Sequence, residues 1–171
     1  DAEPDTGHVR FYKNISGTWT HIDSDIEGQN ISAGGLGRLI SLSNDASVIA
    51  TTGNVDENEK YGYYSKRGHV KIFSSKNIEP ISNGPSTIYG DKKASLFGSS
   101  ISLSSDGSVL AIGATGDTKN GLESGFIRIY KNINKNWFQI GSDIDGEAPF
   151  DYAGIAVTLS DDGSIIAIGA P

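Results

Sequence analysis

The sequence predicts an all-β protein assembled from a repeated unit of four antiparallel strands. Three observations carry this: landmarks recur in the same order about every sixty residues, each landmark alternates apolar and polar positions, and Gly-rich polar turns separate them. No stretch sustains the 3.6-residue period of an amphipathic helix.

The first landmark is "GHVRFYKN" from Gly7, which returns as "GHVKIFSS" from Gly68 and "GFIRIYKN" from Gly125, at spacings of 61 and 57 residues. In the first copy Val9 and Phe11 alternate with His8, Arg10 and Tyr12, so the two sets leave opposite faces of a strand. Val70 with Ile72, and Ile127 with Ile129, keep the same phase. A shorter strand follows in the outer copies, "WTHIDSDIEG" from Trp19 and "WFQIGSDIDG" from Trp137; the middle copy has "EPISNGPSTIYG" and no Trp. The third landmark is "LGRLISLSNDASVIATTG" from Leu36, "FGSSISLSSDGSVLAIGA" from Phe97 and "AGIAVTLSDDGSIIAIGA" from Ala153. Each of these splits into two strands about a turn. Asp106-Gly107 and Asp162-Gly163 predict a two-residue hairpin, because both turn residues tolerate positive φ, and Asn44-Asp45-Ala46 repeats the signal with poorer turn chemistry. One domain is expected over 1–171, divided into repeats at about 7–67, 68–124 and 125–171.

Four-stranded units repeated at this length are the sequence form of β-propeller blades, each sheet burying its faces against its neighbours. Phe97-Gly98 followed by Gly113-Ala114, and Ala153-Gly154 followed by Gly169-Ala170-Pro171, resemble the FG-GAP repeats of integrin-α-type β-propellers, in a bacterial-type variant with "LSxDGSxxAIGA". The resemblance spans nearly the whole chain. It implies a propeller fold and a place outside the cell or on its surface, while propellers as a class host many unrelated roles. Complete blades are expected at about 35–84 and 96–142, with half blades at 7–28 and 153–171, about three blade equivalents in all. Closed propellers need about four or more. Three completions follow: a longer parent chain from which this piece or a leader has been separated, a head-to-tail pair closing a six-bladed ring, or a filament.

Composition excludes some partners. With 14 Lys plus Arg against 21 Asp plus Glu, the formal charge of -7 opposes nucleic acid and anionic membranes. Cysteine is absent, which removes disulfide and thiol chemistry, and no apolar run approaches the roughly 18 residues of a membrane-spanning helix.

Candidate sites are few. FG-GAP propellers bind calcium in an Asp-rich loop between the two halves of the motif; here that place holds only the turn at Ser105-Asp106-Gly107-Ser108, too short to wrap six to eight oxygens. Alternating oxygen donors elsewhere, at Asn54, Asp56 and Asn58 and at Asp1, Glu3 and Asp5, are the remaining calcium candidates, against the plainer reading of solvated turns. No other cofactor is expected. His8 and His69 share one repeat position that Phe126 fills in the third copy, so packing rather than acid–base work is expected of them. No Ser-His-acid or paired-carboxylate arrangement forms locally, and the chain is expected to be noncatalytic. Trp19 with Asp23 and Asp25, and Trp137 with Asp143 and Asp145, form a recurring aromatic–acid pattern. Such a pattern suits sugar stacking and hydroxyl binding, or simple packing of the Trp between blades. The expected function is a noncatalytic extracellular or cell-surface module for adhesion, protein interaction or structural assembly, binding a protein partner or itself; the alternative is a lectin-like propeller with repeated glycan sites.

Overall fold

The structure is a computed structural model that describes residues 7–27, 35–55, 67–74, 79–80, 87–91 and 95–171. Among them there is no helix, and every named strand pairing is antiparallel. Strands β1 (His8–Ile15) and β2 (Thr18–Glu27) make a two-stranded sheet. Next comes a sheet of β3 (Ile40–Leu42), β4 (Val48–Val55) and β5 (Arg67–Ser74), its far edge shared by two short strands, β6 (Glu79–Pro80) and β7 (Thr87–Tyr89). The third sheet repeats that order with β8 (Phe97–Leu103), β9 (Val109–Ala114) and β10 (Phe126–Ile133), edged by β11 (Asn136–Gln139) and β12 (Ile144–Asp145). A last pair, β13 (Ala156–Leu159) and β14 (Ile166–Gly169), closes the series.

The strand order within the full sheets follows the unit expected from the sequence. The expected limits were short: the two full sheets run on to Tyr89 and Asp145, because two short strands share the outer edge of each. In the middle copy the Trp-less segment still pairs, at Glu79–Pro80 and again at Thr87–Tyr89.

Alternation places Ile49, Val70, Ile72, Leu110, Ile112 and Ile127 out of solvent altogether, each such side chain contributing roughly 1.5–3 kcal/mol relative to exposure. The largest cluster lies between the two full sheets and joins Val70, Ile72 and Ile88 to Phe97, Leu110 and Trp137. Phe97 and Phe126 meet there with ring centroids 6.4 Å apart. Smaller clusters seat the two-stranded sheets on their neighbours, Val9 and Ile26 against Leu36, Ile49 and Phe73, and Val157 and Ile168 against Ala111, Ile127 and Ala153.

The hairpin turns differ from the two-residue form. The turn from Ser104 to Val109 has four loop residues: the Gly107 amide donates to the Ser104 carbonyl, and the Val109 amide donates to Ser104 Oγ. Only the Gly107 position has positive φ, +68°. Asp106 instead accepts from Ser104 Oγ at 2.7 Å and from the Ser108 amide at 2.9 Å, an Asx arrangement that a short carboxylate forms without leaving negative φ. Asp45 and Asp162 make the same bonds in the other copies. Turn is then tied to turn: the Asn44 amide donates to the Ser105 carbonyl, and the Ser105 amide to the Asp161 carbonyl. One step along the inner strands, the Leu103 amide donates to Ser41 Oγ and the Leu159 amide to Ser102 Oγ. Each repeat thus docks on the next by the same contacts.

Two glycine positions make that docking possible. A Cβ on Gly107 would lie 2.7 Å from Val48 Cβ of the preceding sheet, and one on Gly163 2.8 Å from Val109 Cγ2. The glycine opening each "GHVRFY" strand touches backbone: a Cβ on Gly68 would fall 1.5 Å from the Phe97 carbonyl oxygen, and one on Gly125 2.4 Å from that of Ala153.

Candidate functional site

Arg128 on β10 anchors the most polar part of the molecule. Its Nε and Nη2 donate to the two Asp143 oxygens at 2.7 and 2.8 Å, and its Nη1 donates to Asp91 in the connection from the previous sheet. The guanidinium also lies 5.1 Å from the Phe126 ring centroid, a cation–π contact. The Asp143 hydrogen bond raises the Arg128 pKa, and Arg128 in turn holds the Asp143 carboxyl below its ordinary range. Lys119 pairs with Asp145 beside them, and its amide donates to Asp117. The notch among these groups holds only about 50 Å³, the room of one or two waters. Its carboxylates are spent on Arg128 and Lys119. This is a joint between sheets rather than an open receptor.

The aromatic–acid pattern is not gathered into one place. Trp19 is opposite Asn14 while Asp25 holds Arg10, four residues away along β1 or about 13 Å. Trp137 is opposite Asn132 while Asp143 holds Arg128, four residues away along β10 or about 13 Å. Trp137 is 5% exposed, and its Nε1 finds no acceptor among the described residues, so its ring is core and has no face for a sugar. Trp19 is 68% exposed. Asp25 is bound by Arg10 at 2.7 Å and His21 at 2.9 Å, repeating the Arg128–Asp143 pair, and Arg10 lowers its pKa. The Asp23 and Asn54 side chains and residues Asp1, Glu3, Asp5, Asp56 and Asn58 lie outside the described residues. Among the described residues no three His, Asp or Glu are grouped to hold a metal ion.

His69 is buried and His8 exposed, although both open the same strand of the repeat. Burial, with Lys71 nearby, pushes the His69 pKa down to about 4, so the ring is neutral at pH 7. Its Nδ1 has no hydrogen-bond partner among the described residues, as suits a position where Phe126 also fits.

The sequence reading missed two grooves, one beside each two-stranded sheet. The first, about 590 Å³, is walled by Phe11, Tyr12 and Ile22 of the β1–β2 pair and by Ile40, Leu42 and Ala46 around β3. Arg10 and Lys13 face it with one acid, Asp45. The second, about 340 Å³, lies between β14 and the end of the third sheet, with Ile127, Ile144 and Ile168 as apolar wall and Asp145, Glu147 and Asp151 as acids. Both run along strand edges: among the described residues β1 pairs only with β2, and β14 only with β13. Residues that are buried in the full sheets are open here. Tyr12 is 53% exposed against 9% for its counterpart Tyr130, and Ile165 69% against 6% for Val109. The signal for these surfaces was in the sequence, as the half units at 7–28 and 153–171, but their opposite charge needed the fold. No family model matches the chain, and no curated protein sequence matches it.

Proposed function

We propose that the four sheets are two whole and two half blades of a β-propeller of the FG-GAP kind, acting outside the cell or on its surface as a noncatalytic module for adhesion, protein interaction or structural assembly. The observation that carries this reading is the repeat-to-repeat docking: the same turn-to-turn and Ser-mediated hydrogen bonds join β3 to β8 and β8 to β13. Side-by-side inner strands with whole sheets fanning out from them is how propeller blades meet. The shifted ionisable groups also support a structural rather than chemical use of the fold. Arg128 and Asp143 are perturbed by each other, Asp45 and Asp162 by the turns they hold, and His69 by burial. The two grooves are the surfaces on which such a module would meet a partner.

Projection images from electron microscopy test the architecture, with a disc of radial blades expected; an extended stack of sheets would remove the propeller reading. A glycan array tests the role. No glycan binding is expected, and binding that Trp19→Ala abolishes in a folded protein would replace this reading with the lectin-like one.

A further inference from the structure

We infer that the partner of the β1 edge is the β13–β14 hairpin of a second copy of this chain, so that each groove receives the half sheet that walls the other. The inference rests on the propeller reading and names its partner. Its ground is the register of the complete sheets. In the third sheet β9 lies on β10 with Ile127 opposite Gly113, Arg128 opposite Ile112, Ile129 opposite Ala111 and Tyr130 opposite Leu110. The chain carries β10's counterpart as β1 and β9's counterpart as β14, each with that edge unpaired among the described residues. Laid in the same register, Val9 faces Gly169, Arg10 faces Ile168, Phe11 faces Ala167 and Tyr12 faces Ile166 of the second copy. Small Gly169 and Ala167 thus oppose Val9 and Phe11, as Gly113 and Ala111 oppose Ile127 and Ile129.

Two further features of the internal joints reappear at this one. Leu103 and Leu159 donate their amides to Ser41 and Ser102 hydroxyls; at the new joint the Leu42 amide faces Thr158, which keeps the hydroxyl. Arg128 reaches Asp91, which follows Gly90; the matching connection has Gly146 followed by Glu147, and both glycine amides donate to the carbonyl of the glycine that precedes the "HV" or "FI" strand, Gly68 or Gly125. Arg10 is Arg128's counterpart, so the second copy's Glu147 meets Arg10. The grooves agree in charge at large, Arg10 and Lys13 in one and Asp145, Glu147 and Asp151 in the other. One feature differs. Ala46 stands where Gly107 and Gly163 give way to Val48 and Val109, so its Cβ presses on Ile165 of the second copy and makes this joint looser than the internal ones. Two copies with two such joints make six blade equivalents, a closed head-to-tail pair.

Sedimentation of the 171-residue chain over a range of concentrations tests this, with hydrogen exchange run in parallel. A species of twice 18.1 kDa is expected, with β1 and β14 amides protected only at concentrations where it forms. Arg10→Glu and Glu147→Arg should each weaken association about tenfold or more, the double reversal should recover much of it, and Ala46→Gly should tighten it. A single-copy mass up to about 100 μM, with β8–β10 exchange unchanged, overturns the inference and leaves the propeller reading standing. Association indifferent to both charge reversals overturns it too. A mass that keeps growing beyond two copies, with β1 and β14 protected, supports the strand pairing and overturns the closed pair.

Discussion

His69 shows how one residue acquires a pH dependence from its neighbours. Its imidazole is held neutral by burial, with a pKa of about 4 in the fold against 6.5 in an unfolded chain. The unfolded state therefore binds the extra proton first, and folding loses stability as pH falls from about 6.5 to 4, by up to about 3 kcal/mol. A second loss belongs to lower pH: Asp45 and Asp162 are held at about 2 by their turns, so what they contribute is present above pH 4 and goes as pH falls toward 2. His69→Phe, copying Phe126, is expected to leave the fold intact and abolish the first phase while keeping the second. Denaturant midpoints measured every half unit from pH 7 to 3 would check it, and an unaltered slope between 6.5 and 4 would disprove the assignment. That His69 packs was legible in the sequence from its exchange with Phe at the repeat position. That its equivalent His8 is exposed was not, because exposure depends on what covers the β1–β2 sheet, which no local pattern encodes.

Among elements, the turn between the first two strands of each unit decides the most. The sequence announces it by Asp-Gly, and the position of the hairpins followed from that signal; their four-residue form did not. Asp106 and Asp162 act through side-chain acceptance, while Gly107 and Gly163 take the positive φ and also lie against the preceding sheet. Gly107→Ala therefore combines left-handed strain with a Cβ placed 2.7 Å from Val48, and a loss of about 2–3 kcal/mol is expected. Thermal unfolding would measure it, and Val48→Ala, which removes the Cγ2 that the new Cβ would also meet at 2.7 Å, should return part of the loss; equal cost in both backgrounds would show that the Cγ2 contact is not responsible. The aromatic–acid pattern misled for a related reason. Residues close in a strand's sequence are spread along its length at about 3.3 Å each, so Trp19, opposite Asn14, and Asp25, on Arg10, look adjacent on paper and are set about 13 Å apart along β1. The Arg128 joint was missed because Asp91 comes to it from another unit, 37 residues away.

At the scale of the whole molecule, the core clusters among the described residues each join one sheet to the next, so stability should be graded along the series. Ile112 and Ile127 at the centre of the third sheet are wholly buried, while Ile165 and Trp19 at the two ends are largely exposed. In single-copy conditions hydrogen exchange is expected to be slowest in β9 and β10 and much faster in β1–β2 and β13–β14. A uniform exchange rate across all four sheets would instead mean that the array opens as one block. The order of strands and the presence of half units were readable from the repeat alone, since the landmarks opening at Gly7, Gly68 and Gly125 and at Leu36, Phe97 and Ala153 alternate in the same order throughout. The opposed charge of the two grooves was not, because their acids and bases come from strands and connections that only folding brings to an edge.

The shared docking contacts also bear on chain length. The Ser41 and Ser102 hydroxyls each stand 34 residues after the opening glycine of their unit, and the turn carbonyls of Ser105 and Asp161 stand 37 and 36 residues after theirs. Repeating the 57 residues from Gly68 to Ser124 would therefore set a second Ser102 hydroxyl and a second Ser105 carbonyl where the next unit needs them. The lengthened chain would gain a joint made of contacts it already uses.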